Sequence, residues 1–335
     1  MIGFYAHHQG SGHITRCRAI ATALSGATDT TVLSSHPNAD VILPMDAPSP
    51  STLSHDQLTA HGCLHWAPPR HEGLARRMAE VARWVDIHRP VAFHVDVSVE
   101  MAVFVRAMGI PVTVQAMPGV RADRPHALGY GLADAVIAAW PDWVPLPVHL
   151  NDIAPRVHRV GGISRFADSY YPKETFRRPT ETGDAGSVTI MLGAGGTDAP
   201  TAYWQGVAEC LRAAGHSCEL IGQNSWVTDP FRAISTADVV VSAAGQNSVA
   251  DLAALGKRAV VVPQTRPFEE QQATAQTLAA SGLAVVLQPD WHEVNSVERW
   301  PALIEHALGT DPGWERWQTA GAASRAAQVL LGVAR

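Results

Sequence analysis

Short apolar runs alternate with amphipathic stretches along the whole chain, and the alternation runs twice. In the first half "IGFYA" is followed by a helical stretch from Ile14 to Leu24, then "TTVLSS", a helix around Glu72 to Val85, "VAFHVDV", a helix near Val99 to Met108, "PVTVQA" and "AVIAA". From Ser187 it restarts with "SVTIMLG", a helix near Thr201 to Ala214, "SCELIG", "DVVVSA", a helix from about Asn247 to Leu255, "RAVVVP", a helix through Gln271 to Ala280, and "LAVVL". Strands that alternate with helices build parallel sheets covered on both faces. The fold class predicted is therefore α/β, with two Rossmann-like doubly wound domains facing a cleft.

A chain of 335 residues has room for two such domains. Between the two alternations, Val157 to Gly186 mixes Gly, Pro, Thr and charge without periodicity and reads as the linker. The boundaries expected are 1–160 for an N-terminal domain and 161–310 for a C-terminal one. Residues 311–335 are Ala-rich and read as one closing helix that packs back on the first domain.

Composition narrows the partners. A formal charge of −6 and the lack of a Lys/Arg block argue against nucleic acid. Four cysteines without scaffold spacing, and no leader pattern, point to a reducing cytoplasm. No apolar run is long enough to span a bilayer. The Trp- and Pro-rich segment Ala138 to Leu150 leaves peripheral contact with the inner face of a membrane open, although a connection leaving a domain core explains it as well.

The stretch "HHQGSGHITRCRAIA" carries the first chemistry. Gly10 and Gly12 allow a sharp turn after the first strand, and the helix that begins at about His13 exposes backbone N–H groups there. Position 15 is Thr, so the dinucleotide pattern G-x-G-x-x-G is incomplete, and NAD is rejected. Asp96 ends the strand "VAFHVDV" and is placed to hydrogen-bond one nitrogen of His13, leaving the other to take a proton. A cap for the helix beginning near Ser98 is the plainer role for Asp96. Arg16, one turn after His13, either reaches an anionic acceptor or pairs on the surface.

In the second half "MLGAGGTDA" sets Gly193, Gly195 and Gly196 between a strand and a helix, where small residues let backbone N–H groups approach a diphosphate beside the Thr197 hydroxyl. The strongest pattern is the block from Ser235 to Leu287: a strand, Gly245 at a helix start, Asp251 inside that helix, Gly256 at its end, a strand ending at Pro263, then Gln271 and Gln272 opening another helix. That ordered set resembles the donor half of GT-B glycosyltransferases. It is most similar to family 28, which includes the N-acetylglucosaminyltransferase of peptidoglycan lipid synthesis.

The resemblance implies an inverting transfer of a sugar from a nucleotide sugar, a UDP-sugar, to a hydroxyl acceptor, without metal and with no cofactor beyond that co-substrate. It implies 1–160 as the acceptor-binding domain and 161–310 as the nucleotide-sugar-binding domain, with His13 as general base and Gly12 and Arg16 on the acceptor side. Asp96 as partner of His13 instead resembles the dyad of the natural-product and plant glycosyltransferases, another GT-B family. The family 28 resemblance puts Gly245, Gln246, Asn247 and Ser248 near the donor phosphates with Gly195, Gly196 and Thr197. It implies Asp251 on the ribose, Gln271 and Gln272 on the donor sugar, Trp226 and Val227 against the base, and Arg165 near the diphosphate. The family carries Glu where this chain has Asp251. Its short acidic acceptor motif is missing after "PVTVQAMPGV", so a small-molecule acceptor stands beside a lipid-linked one.

Two rival readings share these residues. A nucleotide-sugar 2-epimerase would need acids in the cleft, for which Asp96 and Glu100 are the candidates. A non-catalytic nucleotide-sugar-binding protein would need none. In "HGCLH", His61, Cys63 and His65 share a face if the segment is extended, but no fourth ligand is evident, so no metal site is assigned. No D-x-D triplet occurs to carry a metal-bound diphosphate. His7 and His8 follow the first strand, so one is expected to face the cleft and one to face away.

Overall fold

The computed structural model of the chain describes residues 1–46, 53–167, 186–193, 196–222, 230–288 and 296–335. Contacts divide it into two compact units, Met1–Val160 with Ala322–Arg335, and Gly161–Gly321.

The first unit is a sheet of seven parallel strands: β1 (Ile2–Ala6), β2 (Thr30–Ser34), β3 (Val41–Ile42), β4 (Ala92–Asp96), β5 (Val112–Ala116), β6 (Ala135–Ala138) and β7 (Val157–Arg159). They lie in the order β3-β2-β1-β4-β5-β6-β7. Strands β1, β4, β5 and β6 are buried at every residue, as a parallel sheet covered on both faces requires. Helices α1 (Gly12–Ala23), α2 (His55–Leu58), α3 (Glu72–His88), α4 (Val99–Ala107) and α5 (Arg124–Leu132) connect them. Four helix starts have a side-chain acceptor on an N–H of the first turn: Ser54 takes Gln57 N, His71 takes Leu74 N, Ser98 takes Met101 N and Asp123 takes His126 N. Along α3, Arg77, Val81, Trp84 and Val85 form one buried stripe.

The second unit has five parallel strands: β8 (Ser187–Leu192), β9 (Ser217–Gly222), β10 (Val239–Ala243), β11 (Arg258–Val262) and β12 (Val285–Val286), in the order β12-β11-β10-β8-β9. Its helices include α6 (Thr201–Ala213), α7 (Phe231–Thr236), α8 (Gln246–Ala254), α9 (Glu270–Ser281) and a helix at Trp300–Leu308. Two apolar clusters cover the two faces of the sheet, one around Val240, Val261 and Leu252, the other around Val241, Val260, Trp204 and Trp300.

The segment read as linker is partly built into both units. Val157–Arg159 is the edge strand β7, and Val160 to Ser164 are buried, with Gly162 N donating to Trp317 O. Nor is the tail one helix. A short 3-10 turn at Trp314–Trp317 belongs to the second unit, and the closing helix spans Ala322–Val333 and packs on α1 and β4 to β6. Gly313, Gln318 and Gly321 break it, with φ of 56°, 55° and 69°. Among the described residues no helix is long and apolar enough to cross a membrane.

Gly222 closes β9 at φ +98°, and a Cβ there would lie 1.8 Å from Leu192 O on the neighbouring strand. Gly222→Ala is expected to destabilise the second unit by about 1–3 kcal/mol or more, read as a lower denaturant midpoint.

Candidate active site

In an open parallel sheet, ligands bind at the carboxyl ends of the strands where the strand order reverses. In the first unit that point lies between β1 and β4, whose last residues, Ala6 and Asp96, are register partners. The turn after β1 leads into α1, so the pairing brings Asp96 beside a helix more than seventy residues earlier in sequence.

There His13 Nδ1 lies 2.9 Å from Asp96 Oδ1. Arg16 grips the same carboxylate with both ends of its fork, Nε to Oδ2 at 2.9 Å and Nη2 to Oδ1 at 2.7 Å. Asp96 is fully buried, Arg16 is 2% exposed, and the His13 side chain is 20% exposed. Burial would raise the Asp96 pKa, but the Arg16 guanidinium and His13 outweigh it and hold the carboxyl well below the usual carboxylate range. The cap for α4 is Ser98, not Asp96. Arg16 is neither on the surface nor open to an acceptor, because it lies on the stripe Arg16, Cys17, Ile20 and Ala21 that α1 buries. Gly12 is the first residue of α1.

The residues around His13 are neutral or tied down. His7 and His8 stack on each other at 4.7 Å instead of splitting to opposite sides, because β1 ends at Ala6. The His7 ring also meets His13 edge-on at 5.8 Å. His7 Nδ1 accepts Gln9 N, and burial, then His13, His8 and Arg77, push its pKa down to about 3. Beneath the site His94 is fully buried, with Nδ1 on Thr113 Oγ1, and burial pushes it down to about 4. Arg77, buried in α3, joins Tyr5 Oη, Ser35 Oγ, Pro44 O and Asp46.

The "HGCLH" segment is not extended. Ala60, His61 and Gly62 all have positive φ, and His61 turns to Asp56. Only His65 joins a cluster, with Nε2 3.1 Å from Asp123 Oδ1, while His126 Nδ1 lies 2.6 Å from Asp123 Oδ2. Arg121 Nη1 donates to His126 Nε2 at 3.1 Å, which keeps the ring proton on Nδ1. A cation bound at Nδ1 would force that proton onto Nε2, against a donor. The cluster is built as a hydrogen-bond chain. Glu100 is also committed, accepting from His65 N, Trp66 N and Ser98 Oγ.

The second unit reverses its strand order between β8 and β10. The turns beyond them hold Gly196 and Thr197, and Gly245 as N-cap of α8, followed by Gln246, Asn247 and Ser248 in its first turn. Gly245 makes no side-chain cap, so helix N–H groups face the turn region. Thr197 Oγ1 accepts Trp204 Nε1 at 3.0 Å, which directs its own O–H elsewhere. Gln271 Oε1 staples Ala244 N and Gln264 N, and Gln272 Nε2 reaches Gln264 O at 3.4 Å. The carbonyl of Gln271 thus holds loops together, and only its amide nitrogen is left for a sugar.

Asp251 and Arg165, expected on ribose and diphosphate separately, are joined instead. Asp251 Oδ1 accepts Ser164 Oγ at 2.7 Å, and Oδ2 lies 3.0 Å from Arg165 Nε. Asp251 is 3% exposed, and burial raises its pKa although Arg165 and Ser164 pull it down. Gly195, Trp226 and Val227 lie outside the described residues. Sequence reading missed the Arg16 partnership with Asp96, although a cation on a buried stripe demands an anion. It also missed the staples around Gln264, which is 1% exposed.

Residues 224–299 match the glycosyltransferase family 28 C-terminal domain. The chain is a GT-B glycosyltransferase resembling family 28. No curated protein matches it in sequence. The glycosyltransferase shares its fold with the kitacinnamycin glycotransferase, at TM-score 0.64, 14% identity and coverage of 100% of this chain and 99% of that one. Acinetobacter baumannii MurG superposes at TM-score 0.62 with 15% identity, covering 99% of each chain. The spinosyn rhamnosyltransferase SpnG, complexed with thymidine diphosphate, gives TM-score 0.63 and 16% identity over 99% of this chain and 96% of that one.

The depressed His94 makes this site acid-sensitive. The unfolded ring takes a proton near pH 6.5 and the folded one only near 4, so stability is full above the unfolded value and falls as pH drops through that window. The loss attributable to His94 is about 3 kcal/mol by pH 4, and urea titrations of His94→Asn should show a shallower fall over the same window.

Proposed function

We propose that this glycosyltransferase moves a sugar from a nucleotide sugar to an acceptor hydroxyl by a single inverting displacement, with His13 as general base. The observation that carries the reading is the His13 Nδ1 to Asp96 contact of 2.9 Å at the strand-order reversal of the first unit. The ring is oriented by a buried carboxylate and still 20% exposed. His13 Nε2 takes the hydroxyl proton as the oxygen bonds to the anomeric carbon, and the bond to the diphosphate breaks on the opposite face. The nucleoside diphosphate leaves with that electron pair, and the imidazolium then loses its proton to water.

The second unit supports the donor role. Its turns set the α8 N-terminus, Gly196 and the Thr197 hydroxyl at one reversal point, where N–H groups and the helix dipole would stabilise a leaving diphosphate without a metal. A UDP-sugar is the donor that the family resemblance favours, and the thymidine diphosphate on SpnG makes a TDP-sugar the alternative to test. The acceptor is a small molecule or a lipid-linked one. The epimerase reading is weakened because Asp96 is neutralised by Arg16 and Glu100 is held by two backbone N–H groups and Ser98.

His13→Ala should lower transfer about 100- to 10,000-fold with donor affinity retained, and near-full transfer in that variant would refute the base assignment. In a thermal-shift panel of UDP, TDP, GDP and CDP, a uridine or thymidine diphosphate should raise Tm most. No shift with any of the four would remove the nucleotide-sugar donor.

A further inference from the structure

Arg16 has no role assigned by the family domain, which begins far beyond it. Its guanidinium is 2% exposed, and its Nε and Nη2 donate to the two oxygens of Asp96 at 2.9 and 2.7 Å. Met117 Sδ, 3.5 Å from Nη2, and Cys17 Sγ, 3.8 Å from Oδ2, also lie against this pair. His94 lies on the same strand face and is neutral, its ring held by Thr113.

A guanidinium has N–H donors and no acceptor. With one N–H aimed at each oxygen, neither oxygen can carry a proton toward Arg16, and Asp96 is left as acceptor only. The contact with His13 can then form only if Nδ1 holds the ring proton, which puts the lone pair on Nε2. Arg16 Nη2 also passes 3.4 Å from His13 Nδ1, but its two N–H groups are directed to Asp96 Oδ1 at 2.7 Å and to Met117 Sδ at 3.5 Å. Without the cation the buried carboxyl would be favoured neutral, and its O–H would donate to Nδ1. The ring proton would then move to Nε2, and the base would be lost with every distance preserved.

We infer that Arg16 is a positioning residue that fixes the tautomer of His13: by pairing with both oxygens of Asp96, it keeps the imidazole proton on Nδ1 and the basic lone pair on Nε2. The catalytic consequence rests on His13 being the base, whereas the tautomer itself does not. An asparagine in place of a catalytic aspartate is known to give the wrong histidine tautomer in a serine-protease triad, so the effect has the required size.

The test is long-range 1H–15N NMR on the full chain labelled at histidine, above the pH range in which histidines carry charge, with His13→Gln to assign the signals. In the unaltered protein His13 should show a protonated Nδ1 and a bare Nε2. Arg16→Met should reverse the two, Arg16→Lys should preserve the original pattern, and Asp96→Asn, which offers an amide donor to Nδ1, should reverse it as a reference. Transfer to water or to a simple phenol should fall about 100-fold or more in Arg16→Met, with the donor KM unchanged. A proton on Nε2 in the unaltered protein overturns the inference by itself, even if Arg16→Met does not fold, and so does an Arg16→Met spectrum that keeps Nδ1 protonated. If the tautomers follow the scheme but His13→Ala transfers normally, the base reading fails and the tautomer assignment stands.

Discussion

One buried carboxylate organises the first unit. Asp96 is fully removed from water at the end of a central strand, where an isolated charge would cost several kcal/mol. It is tolerated because α1 lays Arg16 against both oxygens and His13 against one of them. Removing one partner from such a pair costs about 3–5 kcal/mol, so the ion pair also fixes how α1 leaves β1. The geometry that stabilises the turn is the geometry that aims the imidazole.

The second unit is ordered by amides more than by charges. Gln271 ties the turn after β10 to the turn after β11, and Gln264 accepts Asp198 N while Asp198 accepts Thr265 N. Those bonds link three turns at the carboxyl edge of the sheet, including the one that carries Gly196 and Thr197. Preorganised N–H groups need no reorganisation when a charged ligand arrives, which suits them to a diphosphate in the proposed role. The Asp251–Arg165 pair anchors the first residues of the unit to α8 in the same way.

Much of this was legible in the sequence, and the failures have physical causes. The repeated strand–helix alternation gives both parallel sheets, since burial on both faces leaves its mark on every central strand. Edge elements left weaker marks: β3 is two residues long, and β7 sits in a stretch without periodicity because an edge strand is buried on few sides. Helix α5 was overlooked although Asp123 and Pro125 form a cap and a first-turn proline. His13 and Asp96 could be paired from their positions after two strands. The state of Arg16 could not be read from spacing to a single residue; it needed the whole buried stripe of α1. Side chains such as Gln271 and Asp251, chosen for a ligand by resemblance, are also used to hold the protein together, and a motif records the residue without recording which atom is free.

The central claim is that a base in the first unit drives one displacement at the anomeric carbon. It is tested most directly by the configuration of the sugar first released when an α-linked nucleotide sugar is turned over with water as acceptor, followed by 1H NMR before mutarotation. A β sugar appearing first is the predicted result. An α sugar appearing first would mean retention, and would contradict the single displacement on which the account is built.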